Sequence, residues 1–224
     1  MKIVISESQY QRMVETEEEQ KVVRIPSLKF FNDDWFKLQK FLEKKGNPPY
    51  SLGGDLDLYG TEIESLGNLK FVSGNLDLRN TPIKSLENLQ SVGGYLDLSY
   101  TPIESFGNLQ SVGGYLELRG TPIKSLENLR SVGEYLDLRE TPIKSLGNLQ
   151  SVGKSLYLSK TPIKSLGNLQ SVGGDLVLYR TPIESLGNLL SVGGGLDLEG
   201  TPLSKMYNEK QIRKILNVEG DIYL

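Results

Sequence analysis

Five consecutive copies of a repeated segment carry a carboxylate at the same position, and each copy begins twenty residues after the previous one: Asp57, Asp77, Asp97, Glu117 and Asp137. If the copies are stacked strands, neighbouring carboxylates lie about 5 Å apart. Retaining glycosidases use two carboxylates at that separation. Every strand ladder gives this spacing, however, and an exposed row lacks the burial that separates the pKa values of an acid and a nucleophile. We therefore expect no enzymatic activity.

The residue types of the chain also limit metal and cofactor chemistry. The sequence contains no cysteine and no histidine, which excludes thiolate catalysis, disulfides, zinc–thiolate sites and a histidine base. Calcium prefers about six to eight oxygen ligands, whereas the acidic row offers one carboxylate per strand. We expect no metal site and no cofactor.

Tyrosines and arginines accompany the acidic row. Stacked carboxylates repel by roughly 1 kcal/mol per pair in water, and a cationic partner would remove that cost. Tyrosine and arginine are enriched at the energetic centres of protein interfaces. We therefore predict that this face binds another protein with a basic patch. The predicted contact residues are Asp57, Asp77, Tyr95, Asp97, Tyr115, Glu117, Arg119, Tyr135, Asp137, Arg139 and Tyr157.

Two alternatives to this prediction remain open. Tyrosine rows can stack on sugar rings, which would make the protein a carbohydrate or cell-surface receptor binder. The opening MKIVISESQY resembles N-terminal segments of proteins from large tailed phages, which implies a phage or adhesion role of that kind. Alternatively, tandem duplication would copy an acidic row whether or not it has a function.

The repeat itself indicates which elements position these residues. Thr-Pro-Ile recurs every twenty residues from Thr81 to Thr181, and a fixed period without insertions predicts stacked coils. In the segment YLDL, Tyr95 and Asp97 alternate with Leu96 and Leu98, the pattern of a half-buried strand. The rest of each coil is too short and too rich in Gly-Asn for a helix, so we expect a return made of turns and short extended pieces.

Serine and asparagine recur at one predicted corner of every coil. Their side chains can satisfy backbone groups that a tight turn leaves unpaired, so we interpret both columns as structural. The columns are Ser65, Ser85, Ser105, Ser125, Ser145, Ser165 and Ser185, and Asn68, Asn88, Asn108, Asn128, Asn148, Asn168 and Asn188.

The pattern Leu-x-Leu-x-x-Thr-x-Ile, as in residues 96–103, resembles the leucine-rich repeat, with Thr where that repeat usually has Asn. The phrase from Phe106 through Leu118 is also similar to the receptor L domain. Both resemblances cover about residues 51–224 and imply a right-handed β-solenoid of leucine-rich-repeat type. We expect one parallel sheet of about nine strands with a largely helix-free return.

Residues 1–50 lack the repeat, and we expect a small α+β cap over the first coil, because an open solenoid end exposes its core. An alternative is a small docking region for a partner. The predicted elements are a strand at residues 2–5, a helix from Ser6 to about residue 18, and a helix through residue 45 capped by Asn32 or Asp33.

The C-terminal segment departs from the repeat and then returns to it. Residues 207–217 predict a helix, with Ile212, Leu216 and Met206 facing inward. Residues 218–224 match the phrase that begins at Val192, so the chain should end on one more strand after a C-terminal cap at 204–224.

Charge and hydropathy exclude some further classes of protein. The formal net charge is −3, so the chain lacks the excess of basic residues that is typical of a nucleic-acid binder. No apolar run approaches the ~20 residues of a membrane span, and the N-terminus does not resemble a secretory signal. We expect a soluble cytoplasmic protein, and the sequence leaves its oligomeric state open.

Overall fold

The computed structural model describes residues 14–17 and 20–224, with side chains from residue 22 onward. This part of the chain forms a parallel β-solenoid with one eleven-stranded and one nine-stranded sheet. From residue 50 to residue 200, each coil contributes one short strand to each sheet, and no helix occurs in that range. The predicted solenoid and its helix-free return are confirmed.

The nine-stranded sheet contains the strands that the sequence analysis counted. All its pairs are parallel, and all but the last pair at the C-terminal end are shifted by one repeat, as where Leu116 lies opposite Leu96 and Leu136. Its strands are β4 (Leu56–Asp57), β6 (Leu76–Asp77), β8 (Leu96–Asp97), β10 (Leu116–Glu117), β12 (Leu136–Asp137), β14 (Leu156–Tyr157), β16 (Leu176–Val177), β18 (Leu196–Asp197) and β20 (Ile222–Tyr223).

The return forms a second sheet, which the sequence analysis did not predict. A return strand such as Ser111–Val112 has only one buried residue, too few to show the alternation of a strand. The strands are β1 (Val14–Glu17), β2 (Gln20–Ile25), β3 (Tyr50–Leu52), β5 (Leu69–Val72), β7 (Ser91–Val92), β9 (Ser111–Val112), β11 (Ser131–Val132), β13 (Ser151–Val152), β15 (Ser171–Val172), β17 (Ser191–Val192) and β19 (Asn217–Val218).

The apolar positions of each coil fill the space between the two sheets. In one such coil, six apolar residues have an exposed fraction of 1% or less: Leu96, Leu98, Ile103, Phe106, Leu109 and Val112. Because the period has no insertion, the same six positions stack from coil to coil and form one continuous core.

Hydroxyl groups close the corners of the coils. The Thr101 hydroxyl donates to the Leu98 carbonyl at 2.7 Å, and every threonine of that column makes the equivalent bond. The Ser105 Oγ accepts from the Gly107 N–H at 3.0 Å, and all seven serines do the same. The structural role predicted for the serines is confirmed.

Four of the seven asparagines link one coil to the preceding turn of the chain. The Asn88 side-chain amide donates to Asn68 Oδ1 at 3.1 Å, and that of Asn128 donates to the Gly107 carbonyl at 2.9 Å. Threonine therefore closes the turn within a coil, whereas these asparagines bridge neighbouring coils.

The N-terminal segment continues the eleven-stranded sheet. Strand β2 pairs parallel with β3, and β1 pairs antiparallel with β2. The predicted strand at residues 2–5 and the start of the predicted helix at Ser6 lie outside the described residues. The predicted extension of that helix to residue 18 is wrong, because Val14–Glu17 forms a hairpin strand.

A short 3₁₀ helix (Leu28–Phe31) and helix α1 (Trp35–Lys44) follow β2. The cap of α1 is Asp34, whose carboxylate accepts from the Lys37 N–H at 3.0 Å. Asn32 and Asp33, the predicted caps, instead adopt left-handed backbone with φ near 58° and 55°. They form the turn between the two helices.

The helix predicted at residues 207–217 is present as the shorter α3 (Glu209–Ile215), and a separate helix that was not predicted, α2 (Pro202–Met206), precedes it. Asn208 starts α3 with a capping box to Gln211, so Met206 belongs to a separate helix and is 64% exposed. Its predicted inward position is wrong, whereas Ile212 and Leu216 are buried. The predicted final strand is confirmed by β20, which pairs with β18.

Candidate functional site

Three rows of outward side chains cross the nine-stranded sheet, and all eleven predicted contact residues lie in them. The first row is Asp55, Asn75, Tyr95, Tyr115, Tyr135, Ser155, Asp175, Gly195 and Asp221. The second row is Asp57, Asp77, Asp97, Glu117, Asp137, Tyr157, Val177, Asp197 and Tyr223. The third row is Tyr59, Arg79, Ser99, Arg119, Arg139, Ser159, Tyr179 and Glu199.

Two carboxylates of the second row are neutralised within the chain. The Arg139 guanidinium donates from Nε to both oxygens of Asp137, at 2.9 and 3.0 Å, and also from Nη2. Arg79 makes the same pair with Asp77 and also approaches Asp97 at 3.5 Å. Asp77 and Asp137 are buried. A cationic partner therefore cannot gain from these two carboxylates as the sequence analysis assumed.

The aspartates of the second row also have a backbone role that the sequence analysis missed. Oδ1 of Asp57, Asp97 and Asp197 accepts from the N–H two residues later, at 2.9–3.0 Å. This bond closes the turn at the end of the strand. The signal was present in the sequence, because aspartate commonly bonds its own backbone two residues on.

Glu117 is the exception in the second row. Its longer side chain makes no hydrogen bond or ion pair among the described residues, and it lies between Asp97 and Asp137 in register. Burial raises the pKa of Glu117 to about 7, and the charges of Asp137 and Asp97 add to the increase. The repulsion predicted for the whole row is concentrated on this residue.

The tyrosines of the first row form a continuous stack. The ring centroids of Tyr95 and Tyr115 are 4.7 Å apart, those of Tyr115 and Tyr135 are 4.9 Å apart, and the rings are nearly parallel. Burial, with smaller contributions from its two neighbours, raises the pKa of Tyr115 to about 12. All three phenols therefore remain neutral at physiological pH.

Four other members of the first row accept hydrogen bonds from the backbone instead. Asp55 accepts from the Asn75 N–H at 2.8 Å, and Asn75 accepts from the Tyr95 N–H at 3.0 Å. Ser155 and Asp175 act in the same way on the following coil. In the described part of the chain the tyrosines make no such bond, so their position in the row is not explained by coil-to-coil hydrogen bonding.

Arginines also lie over tyrosine rings at the margin of the rows. Arg139 is 5.3 Å from the ring centroid of Tyr157, and Arg79 is 5.1 Å from that of Tyr59. Tyr157 therefore belongs with Arg139 rather than with the tyrosine stack. Arg119 is exposed and lines a depression of about 220 Å³ together with Arg139 and Glu140.

A larger depression lies at the C-terminal end of the same face. Its volume is about 470 Å³, and Val177 and the Tyr223 ring line it together with glycines and three aspartates: Asp175, Asp197 and Asp221. None of these aspartates forms an ion pair with another described residue. The sequence analysis did not single out this region, because the repeat pattern there does not place the acidic residues in one row.

Among residues 14–17 and 20–224, no three acidic side chains converge on a point where a metal ion could bind. In the same part of the chain, every helix is too short or too polar to cross a lipid bilayer. No protein-family model and no curated protein matches the chain.

Proposed function

We propose that the protein is a non-enzymatic binding module that recognises another protein through the outward face of the nine-stranded sheet. The observation that carries the proposal is the stack of Tyr95, Tyr115 and Tyr135 on that face. We further propose that the coils are of the leucine-rich-repeat type, with the threonine hydroxyl at the corner, and that the protein acts in the cytoplasm.

The tyrosines support binding because, unlike other members of the row, their side chains make no hydrogen bond to the neighbouring coil among the described residues. Asp55, Asn75, Ser155 and Asp175 occupy the same row and bond to the next coil. Mutual stacking holds the three rings in one orientation before any partner arrives. Ordered side chains lose less conformational entropy on binding, and tyrosine and arginine dominate interface energetics.

The geometry of the stack favours a protein over a sugar. A sugar ring binds on the open face of an aromatic ring, but neighbouring rings here lie less than 5 Å apart and cover each other. Both faces of Tyr115 and one face each of Tyr95 and Tyr135 are covered by neighbouring rings. The edges and hydroxyl groups of all three rings are available, which suits the mixture of apolar and hydrogen-bonding contacts in a protein interface.

The test is affinity capture from an extract of the source cells with three forms of the chain. The first is the wild type, and the second carries Tyr95→Ser, Tyr115→Ser and Tyr135→Ser. Serine is native to this row at Ser155, so the fold should tolerate it. The matched control carries Gln110→Ser, Gln150→Ser and Gln170→Ser, which are exposed on the return.

We expect a protein that the wild type and the glutamine variant capture and that the tyrosine variant loses. Circular dichroism of all three forms checks that each is folded. If all three forms capture the same proteins, or if the wild type captures none specifically, the proposal is wrong.

A further inference from the structure

The Asp137–Arg139–Tyr157 cluster shows how this face binds a guanidinium. Asp137 and Tyr157 lie opposite each other on neighbouring strands. Arg139 pairs with the carboxylate of Asp137 and lies over the ring of Tyr157, 5.3 Å from its centroid. The cation thus has an ion pair on one side and an aromatic face on the other.

The same acidic and aromatic pair recurs at the C-terminal end, without the arginine. Asp197 and Tyr223 lie opposite each other on β18 and β20, in the register of Asp137 and Tyr157. Two residues after Asp197 the chain has Glu199, where Arg139 follows Asp137. Asp197 forms no ion pair with a described residue, and Tyr223 is 52% exposed.

The surroundings of this pair leave room for a long cationic side chain. Gly195 has no side chain to fill the first row, and a depression of about 470 Å³ results. Asp175 and Asp221 add two carboxylates beside it, and Val177 supplies an apolar wall. The guanidinium of Arg180 does not neutralise them, because it lies over the Tyr179 ring at 4.9 Å.

We infer that this depression receives an arginine side chain of the protein partner, which takes the place that Arg139 has in the complete cluster. This inference rests on the proposed function. Arginine fits better than lysine because its planar guanidinium bonds a carboxylate with two donors and stacks on an aromatic ring at the same time. Its methylene groups would pack against Val177.

The test is a titration of the full ¹⁵N-labelled chain with N-acetyl-arginine-N-methylamide, followed by the backbone amide signals of Gly195 and Gly220. The citrulline analogue is the control probe, because it has nearly the same shape without the charge. We expect saturable shifts at these glycines with the arginine probe and none with the citrulline probe.

The decisive variant is Glu199→Arg, which places the chain's own guanidinium beside Asp197. It should weaken binding of the arginine probe by about tenfold or more, because both the ion pair and the cation–π contact are then occupied. The charge-matched control is Glu104→Arg on the exposed return, which should leave the affinity unchanged. Arginine at the equivalent positions of other coils shows that the fold accepts it.

Equal affinity in the wild type and Glu199→Arg, equal shifts with citrulline, or no localised shift would overturn the inference. The proposed function is judged separately by the tyrosine variant in the capture experiment. A partner that depends on the tyrosines but is captured equally by Glu199→Arg would leave the proposed function standing and overturn only the inference.

Discussion

The middle and the C-terminal end of the nine-stranded sheet use the same coil but differ in whether their carboxylates are neutralised by arginine. In the middle, Asp77 and Asp137 are buried under Arg79 and Arg139. At the end, Asp197 retains the backbone bond of these aspartates but has no arginine. The core positions of the repeat are alike up to Leu198, and the final coil differs by α2 and α3, which bury Leu203, Ile212 and Leu216. On the strand face itself the difference lies in the outward residues.

This comparison separates the residues that maintain the fold from those that are available for binding. The leucines, threonines and serines of every coil make the same contacts in both regions. The outward triplets are not constrained by those contacts, so one region can satisfy its own charges while another leaves them to a partner. Exposed side chains without an internal partner are therefore more informative about function than the number of acidic residues.

The largest expected effect concerns two glycines at different positions of the coil: Gly133 at a corner, where both regions have glycine, and Gly195 in the first row, where only the C-terminal end has it. A Cβ on Gly133 would overlap the carbonyl oxygen of Gly113 and lie 2.9 Å from its carbon, whereas a Cβ on Gly195 would have no neighbour closer than 3.4 Å. We expect Gly133→Ala to lower the free energy of unfolding by about 2–3 kcal/mol, because the coils must move apart. Gly195→Ala should change it by less than about 1 kcal/mol.

Chemical denaturation followed by circular dichroism measures both values. Equal losses for the two alanine variants would show that a side chain is tolerated no better at the first-row position than at the corner, and the contrast between the two positions would fail.

The next effect concerns the aspartates themselves. Asp137→Ala removes the ion pair with Arg139 and the acceptor of the Arg139 N–H, and we expect a loss of about 2 kcal/mol. Asp197→Ala removes only the backbone acceptor and also relieves repulsion from Asp175 and Asp221, so the loss should be about 1 kcal/mol or less.

The measurement is again the free energy of unfolding. The control is the pH dependence of this free energy. The losses caused by Asp137→Ala and Asp197→Ala should both shrink at a pH where the carboxylates are protonated. A larger loss for Asp197→Ala would mean that an internal cation neutralises the C-terminal end in solution.

The difference between these regions also marks the limit of what could be predicted from sequence. The period of twenty residues and the alternation around Leu96 were sufficient to predict the solenoid, its nine-stranded sheet and the helix-free return. They did not predict the second sheet, because each return strand buries only one residue, such as Val112. The sequence placed all eleven outward residues on one face, but it could not show that Arg139 covers Asp137, since that depends on side-chain conformation.

Glu117 offers a smaller effect with a defined pH dependence. Its pKa is raised to about 7 in the folded chain, so the folded state binds the proton more tightly than the unfolded state, where a glutamate titrates near pH 4.3. The stabilisation from this proton is therefore complete below about pH 4.3 and is lost as the pH rises through about 7.

Glu117→Gln should remove that loss and stabilise the chain above pH 7 by about 1–2 kcal/mol, after allowing for solvent screening. Unfolding measured from pH 4.5 to pH 8 tests this, with Glu104→Gln on the return as the control. A pH profile that is the same for the wild type and Glu117→Gln would show that neither burial nor the charges of Asp137 and Asp97 raise the pKa of Glu117 in solution.

The smallest expected effect is a gain in stability at the C-terminal end. Glu199→Arg places a guanidinium beside Asp197 and over Tyr223, in the register that Arg139 has with Asp137 and Tyr157. Such an exposed ion pair and cation–π contact contribute about 0.5–1 kcal/mol.

A double-mutant cycle with Tyr223→Leu isolates the aromatic part of that gain, and the corresponding cycle at Arg139 and Tyr157 gives the reference value. If the two coupling energies agree, the C-terminal end differs from the middle only by the missing cation. If Glu199→Arg is neutral or destabilising and shows no coupling to Tyr223, the two regions are not equivalent, and the absence of an arginine at position 199 has no bearing on binding.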